Sequence, residues 1–182
     1  GRSYADVMSD RLFAPLGMSR TTFRPTVAMT YPLSQGHSAA NGKPTVIRPF
    51  TDNVAAWPDG FMFSSVNDLA RFAIAFVNGG RIDGKQVLAP AVVAKLSTPY
   101  ADLHSRFVFA NGKYGYGLFV HEYRGASLVW HAGLMPGFGA LLQMVPARRF
   151  AVIVLANRSG SLLNKTAEKA MALLGKVNPL AL

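Results

Sequence analysis

Four short runs of aliphatic, β-branched and aromatic residues dominate the second half of the chain. They predict strands over Tyr116–Tyr123, Ser127–Trp130, Phe138–Val145 and Phe150–Ala156. Residues typical of turns separate successive runs, so the pattern indicates an antiparallel meander. The last run, FAVIVLA, is apolar on both faces, which predicts a central strand that is covered on both sides.

Helical periodicity marks the segments on either side of these strands. Ser3-Tyr4-Ala5-Asp6 is a capping box and predicts a helix to about Phe13 that Pro15 stops. A second capping box, Ser65-Val66-Asn67-Asp68, begins a helix whose apolar residues recur every three or four positions.

A last helix is expected over about Ser161–Leu174, and Gly175 is expected to end it. Helices that precede and follow an antiparallel sheet are typical of an α+β fold, in which they pack against the sheet.

Arg24–Gly60 differs from the rest, because it contains five prolines and little periodicity. Segments of this length without regular structure are unusual inside a compact domain. The segment is either a functional loop that lines a cleft or partly mobile. Its aromatic residues Tyr31, Phe50 and Trp57 need a surface to pack on, which favours the first alternative.

Composition limits the classes of protein that the chain can represent. Its 182 residues are half apolar and 15% charged, which fits one globular domain or part of a larger one. The longest apolar run, Phe150–Ala156, is too short to span a membrane. The 19 basic and 9 acidic residues give a net charge of +10, but the basic residues are scattered, so we expect no nucleic-acid partner.

Several kinds of reactive site are not expected. The chain has no cysteine, which removes disulfides, thiol nucleophiles and zinc–thiolate sites. The histidines His37, His104, His121 and His131 lack the spacing of a helical ligand pair, so no metal site or cofactor is predicted. No phosphate-binding loop and no G-x-S-x-G elbow is present.

The segment His131-Ala132-Gly133 follows a predicted strand and precedes a turn at Pro136-Gly137. The pattern alone favours a polar residue at a strand end that is followed by turn glycines. In a functional interpretation, Gly133 lets a ligand approach the backbone closely. The Leu134 N–H would then donate to a developing oxyanion, with His131 as a hydrogen-bond donor beside it.

Five segments, in the same order along the chain, resemble serine hydrolases of the penicillin-recognising fold: class C β-lactamases, DD-peptidases and related esterases. They are FAPLGMSRTTF, DGFMFSSVNDLARFAIAFVNGG, YGYGLFV, WHAGLMPGFGALLQMVP and FAVIVLANRSG. The resemblance implies a β-lactamase/transpeptidase-like α+β fold. It covers nearly the whole chain but only the C-terminal half of the family, so the N-terminal half is expected to be missing.

The family uses three motifs, of which one is present here. No serine is followed by Lys in S-x-x-K, and no tyrosine begins Y-x-N. Ser65-Val66-Asn67 fits S-x-N formally, but it is expected to serve as a helix cap. The third motif is represented by His131-Ala132-Gly133, with His in place of Lys and Ala132 in place of the hydroxyl residue. The resemblance implies catalytic roles for His131, Gly133 and Leu134.

The resemblance also implies a substrate and a mechanism. Ala132 would contact an ester, peptide or lactam, and Arg158 would bind a substrate carboxylate; for Arg158 the alternative is a solvated side chain. Residues 1–182 are expected to be the C-terminal part of one hydrolase domain and inactive alone, because the nucleophile is absent. The alternative is a non-catalytic binding or assembly module of the same fold.

Two further expectations concern location and association. Many members of the family are exported, which makes a periplasmic or secreted protein plausible, but nothing in these residues sets the compartment. Without the family's N-terminal half, a sheet edge or an apolar face should be exposed. We therefore expect the chain to self-associate.

Overall fold

The computed structural model describes residues 1–39, 42–102, 112–159 and 163–177, with backbone alone for 174–177. Its helices are α1 (Tyr4–Met8), α2 (Ala14–Leu16), α3 (Pro25–Ala28), α4 (Val66–Val77), α5 (Pro90–Leu96) and α6 (Leu163–Val177). The first four strands form two small hairpins: β1 (His37–Ser38) with β2 (Thr45–Val46), and β3 (Arg81–Ile82) with β4 (Lys85–Gln86).

A six-stranded antiparallel sheet forms the centre of the fold. Its strands are β5 (Ala101–Asp102), β6 (Lys113–Tyr114), β7 (Phe119–Tyr123), β8 (Ala126–Met135), β9 (Phe138–Val145) and β10 (Phe150–Ala156). They lie in the order β10-β9-β8-β7-β6-β5, so the predicted meander is confirmed. The sequence pattern had not predicted β5 and β6.

Two of the strand predictions were wrong in part. The strand predicted over Ser127–Trp130 extends to Met135, because β9 pairs with it as far as the turn. The run Phe150–Ala156 is an edge strand of the described sheet and not a central one. It is apolar on both faces because α4 packs on one side of it and α6 on the other.

The core lies on both faces of the sheet. On one face, α6 buries Leu163, Ala167 and Met171 against residues of β8, β9 and β10. On the other face, α4 buries Ala73 and Phe76 against the same three strands. Each large apolar side chain that is fully buried contributes about 1.5–3 kcal/mol, so the helices hold the sheet from both sides.

Two helices end differently from prediction. A π-helical turn over Ser9–Phe13 connects α1 to α2, so Pro15 lies within the last helical turn and Gly17, with φ of 70°, ends it. The last helix continues past Gly175 to Val177. The predicted start of that helix at Ser161 and the side chain of Leu174 lie outside the described residues.

Both predicted capping boxes are confirmed at their serines. The Ser3 Oγ accepts a hydrogen bond from the Asp6 N–H, and the Ser65 Oγ accepts one from the Asp68 N–H, each at 3.2 Å. The Asp68 carboxylate is buried and accepts hydrogen bonds of 2.7 Å from the Arg20 N–H and the Thr21 hydroxyl. Ser65 therefore serves the helix, and Asp68 ties the start of that helix to the segment after α2.

The described residues of the Arg24–Gly60 segment fold against the rest of the chain. They contain α3, the β1–β2 pair and a short 3₁₀ turn, Val54–Ala56. The Trp57 ring is buried beside Phe23 and donates its indole N–H to Asp52 at 2.9 Å. Among the described helices, none is both long and apolar enough to cross a membrane.

Candidate active site

The strand β8 has partners on both sides for only part of its length. It pairs with β9 from Val129 to Met135, but with β7 only from Ala126 to Trp130. From His131 onward, the edge that faces β7 has no partner strand among the residues the structure describes. We call Ala132–Leu134 on this side the open edge.

The register fixes which backbone groups point to the open edge. Pro136-Gly137 is a two-residue turn, and its flanking residues Met135 and Phe138 are directly paired. Because hydrogen-bonded pairs alternate along antiparallel strands, the odd-numbered residues of β8 bond to β9. The N–H groups of Ala132 and Leu134 therefore point away from β9, toward the open edge.

The third-motif residues lie at the surface of the described chain. Ala132 and Gly133 are exposed, and the Leu134 side chain is 69% exposed. A Cβ added to Gly133 would meet only the Ala140 Cβ, at an ordinary 3.7 Å. Neighbouring described residues therefore do not require a glycine at this position.

His131 is half-buried and held by two aromatic residues, one on the adjacent strand β7 and one on β6. Its Nε2 lies 3.2 Å from the Tyr114 Oη of β6, and the Phe119 ring of β7 stacks on the imidazole at 5.1 Å between centroids. Either the phenol donates to an unprotonated Nε2, or a protonated Nε2 donates to the phenol oxygen. These contacts orient the His131 ring beside the start of the open edge.

Tyr114 is a site residue that the sequence did not single out, although it begins the family-like segment YGYGLFV. Burial raises the pKa of the Tyr114 hydroxyl, and the Asp59 carboxylate raises this pKa further. The hydroxyl therefore stays protonated at neutral pH and can exchange hydrogen bonds with His131. Asp59 lies at the start of another family-like segment, so the fold brings three of these segments together.

Arg158 lies at the same end of the sheet but not beside His131. It follows β10, whose Ala156 opposes Gly139 of β9, which in turn opposes Leu134. Two strand spacings, about 10 Å, thus separate the line of β10 from that of β8. Arg158 is exposed, and its backbone forms a bridge with His37.

The segment around His37 closes the end of the sheet. The His37 N–H donates to the carbonyls of Gly137 and Asn157 at 3.2 and 3.0 Å, and the His37 carbonyl accepts from the Ser159 N–H at 2.9 Å. The Ser159 hydroxyl in turn accepts from the Gly137 N–H at 2.6 Å. This network fixes the tip of the β8–β9 hairpin at the end of the open edge.

His121 lies on the paired part of the sheet, opposite Leu128. Its Nδ1 accepts a hydrogen bond of 3.0 Å from the Trp130 indole N–H, and burial lowers the pKa of its imidazole. His121 is therefore neutral at pH 7 and serves the core. In the described parts of the chain, no three His, Asp or Glu side chains group closely enough to hold a metal ion.

Sequence relatives include a penicillin-binding protein and a D-aminopeptidase. The chain is 27% identical over 160 residues to penicillin-binding protein 4 of Amycolatopsis lactamdurans, with 86% of this chain and 42% of that protein covered. It is 26% identical over 163 residues to the D-aminopeptidase of Brucella anthropi, with 88% and 28% covered. The chain thus spans less than half the length of these relatives.

Structural comparison agrees with the sequence comparison. An octameric penicillin-binding protein homologue from Pyrococcus abyssi superposes with a TM-score of 0.82 at 27% identity, over 94% of this chain and 37% of that one. The family model described as Beta-lactamase matches residues 1–176, which is nearly the whole chain. The α+β fold and the family resemblance of the sequence are thereby confirmed, and the chain belongs to the beta-lactamase family.

Proposed function

We propose that this chain supplies the third-motif strand of a serine acyl-hydrolase site and that S-x-x-K and Y-x-N are supplied from outside these 182 residues. The observation that carries the proposal is the open edge. It presents the Leu134 N–H three residues along β8 from His131, on the part of β8 that has no described partner strand on the β7 side, and Tyr114 and Phe119 orient the His131 ring. The absence of both other motifs from the sequence supports a site that other residues complete.

Each residue at this edge has a chemical role in the proposed reaction. A serine oxygen attacks the acyl carbon, the leaving group departs with a proton, and water later releases the acyl group. The Leu134 N–H stabilises the negative charge on the acyl oxygen, and His131 donates a hydrogen bond beside it. One such oxyanion donor is worth about 10²–10³ in rate. Gly133 keeps the strand open to the substrate.

We infer an ester, amide or lactam as substrate. The relatives named for penicillin binding and for D-aminopeptidase activity support this class. Ala132 contacts the substrate without offering a hydroxyl. Arg158, at the same end of the sheet, binds the carboxylate of a longer substrate.

Covalent labelling tests the proposal. The isolated chain should not react with a fluorescent penicillin or a fluorophosphonate, and stoichiometric labelling would show that it carries its own nucleophile. The coding sequence upstream of Gly1 should encode S-x-x-K and then Y-x-N. Degenerate motifs at those positions would refute the hydrolase and leave a non-catalytic module of the same fold.

We also propose that the isolated chain self-associates through the open edge. Its backbone groups can pair with a second strand, and the exposed Leu134 side chain adds apolar surface there. The octameric homologue supports a capacity for assembly in the family. Light scattering should show a concentration-dependent mass. A monomer at all concentrations, without binding of an apolar dye, would contradict this proposal.

A further inference from the structure

A cavity of about 480 Å³ lies between the Arg24–Gly60 segment and the tip of the β8–β9 hairpin. This volume is within the range of small-molecule sites. Its walls are largely apolar, with Met29, Tyr31, Leu33, Phe50, Phe63 and Phe138 among them. We call it the loop cavity.

The aromatic walls of the loop cavity are held in place from three parts of the chain. The Phe50 ring packs on Phe63 at 5.0 Å and meets Phe138 at 6.4 Å between centroids. Phe63 is anchored by a pair of backbone hydrogen bonds with Thr22, and Phe138 belongs to β9. The cavity is therefore already shaped without a ligand.

Apolar surface in this cavity remains accessible. Met29 is 70% exposed, Phe50 46% and Leu33 39%. Apolar surface that lines a concave site gains free energy when a ligand removes it from water, by about 25 cal/mol per Å². An aromatic ring or a branched aliphatic group fits this lining.

The positive charge of an arginine in the lining favours apolar ligands that carry a negative charge. Arg48 is the one charged residue among the described residues of the lining. Its guanidinium forms no ion pair or hydrogen bond with another residue that the structure describes. Ser34 and Thr51 also line the cavity, and a hydroxyl is a group that can donate to a ligand oxygen. A carboxylate complements this arrangement.

We infer that the loop cavity binds an apolar group that bears a carboxylate, such as an aromatic acid or the apolar terminal residue of a peptide. Pro136 and Phe138 line it, so it begins two residues, or about 7 Å, beyond Leu134 along the hairpin. A substrate that extends along the open edge toward the turn therefore reaches it. The role as a substrate subsite rests on the proposed function, whereas binding itself does not.

A titration of the isolated chain tests the inference. With 3-phenylpropionate as the probe, the backbone amides of Phe50, Phe63 and Phe138 should show saturable shifts in two-dimensional NMR spectra. The neutral 3-phenylpropanamide should bind at the same amides about 2- to 5-fold more weakly, as expected for the loss of one solvent-accessible charge pair. Acetate, which has no ring, should leave these amides unshifted at the same concentrations.

Matched variants separate the charge from the apolar lining. Arg48→Gln should abolish the difference between acid and amide and leave the affinity for the amide unchanged. Arg11→Gln removes an exposed arginine outside the cavity and should preserve the difference. The absence of saturable shifts at the three amides would overturn the inference, and so would an unchanged preference for the acid in Arg48→Gln.

This experiment is independent of catalysis. A failed titration refutes the loop cavity and leaves the hydrolase proposal intact. Degenerate upstream motifs, or stoichiometric labelling of the isolated chain, refute the proposed function while the NMR shifts still report binding.

Discussion

Two glycines four residues apart on the β8–β9 hairpin, Gly133 and Gly137, have opposite surroundings. Gly133 faces open space, and a Cβ there would touch only Ala140 at 3.7 Å. Gly137 has φ of 89°, and a Cβ there would lie 2.7 Å from the Gly36 Cα. The backbone at the hairpin tip thus requires its glycine for internal packing, whereas the open edge has a glycine that the described neighbours do not need.

The contrast separates structural from functional use of a residue type. At Gly137, positive φ and contact with the Gly36 backbone together exclude a side chain. At Gly133, a glycine inside a strand is a cost in stability, since it weakens the strand and packs no side chain. Under the proposed function, the substrate approaches the backbone of β8 closely, and this approach explains why a glycine is present at position 133 despite its cost in stability.

Alanine at each glycine gives the largest expected difference between the two regions. Gly137→Ala should lower the free energy of unfolding by about 2–4 kcal/mol, since it combines a strained φ with a backbone clash. Gly133→Ala is the matched control and should stay within about 1 kcal/mol of the parent or be slightly more stable. Urea unfolding measures both.

The same pair of variants tests the loop cavity. Gly137→Ala should also loosen the Arg24–Gly60 segment and weaken 3-phenylpropionate binding, since Gly36 packs on the altered residue. Equal losses of stability in the two variants would show that the open edge is as crowded as the tip, which would contradict the comparison.

The tip and the edge also differ in how far the sequence predicts them. The turn at Pro136-Gly137 follows from residue type and is present, with a positive φ at Gly137. The strand through His131-Ala132-Gly133 was missed because these residues lack an alternating apolar pattern. Pairing with β9, a tertiary effect, decides it.

Other errors have the same origin. The sequence correctly predicts that both faces of FAVIVLA are covered. The apolar pattern is the same for a central strand and for an edge strand with a helix on each face, so the prediction of a central strand was wrong. The docking of His37 on Gly137 and Asn157 uses backbone groups, and backbone contacts leave no pattern in side-chain types. Tyr114 was not predicted because its contact with His131 joins β6 to β8 across the intervening strand β7.

A second, smaller contrast is between His121 on the paired part of the sheet and His131, which directly precedes the open edge. Burial lowers the pKa of His121, and the Trp130 N–H already occupies its Nδ1. Because the folded-state pKa lies below the unfolded one, His121 favours folding fully above about pH 6.5. This contribution is lost as the pH falls through the folded-state value.

Stability should therefore decline as the pH falls below about 6.5, together with a change in Trp130 fluorescence. His121→Asn should be less stable at pH 7 but should show a shallower dependence on pH over this range. An identical pH dependence in parent and variant would assign the effect to another group. The pH dependence of stability would then not distinguish the environment of His121 from that of His131.

The smallest expected effect concerns the orientation of His131, and two tyrosines of the segment YGYG provide a matched pair for it. Tyr114→Phe removes the hydroxyl 3.2 Å from the His131 Nε2 but keeps the ring that packs on Phe119. It should cost about 0.5–1 kcal/mol, the net value of one hydrogen bond. Tyr116→Phe keeps the ring that packs on Tyr100 and should change stability less.

The ¹⁵N chemical shifts of the His131 ring distinguish a positioning role from a merely structural one. Tyr114→Phe should alter the Nε2 shift and the balance between the two neutral tautomers, since one nitrogen loses its partner, whereas Tyr116→Phe should alter neither. If Tyr114→Phe left the His131 shifts unchanged, the phenol would not orient the imidazole. The imidazole would then be held by ring packing alone, on Phe119 and on the aromatic ring at position 114.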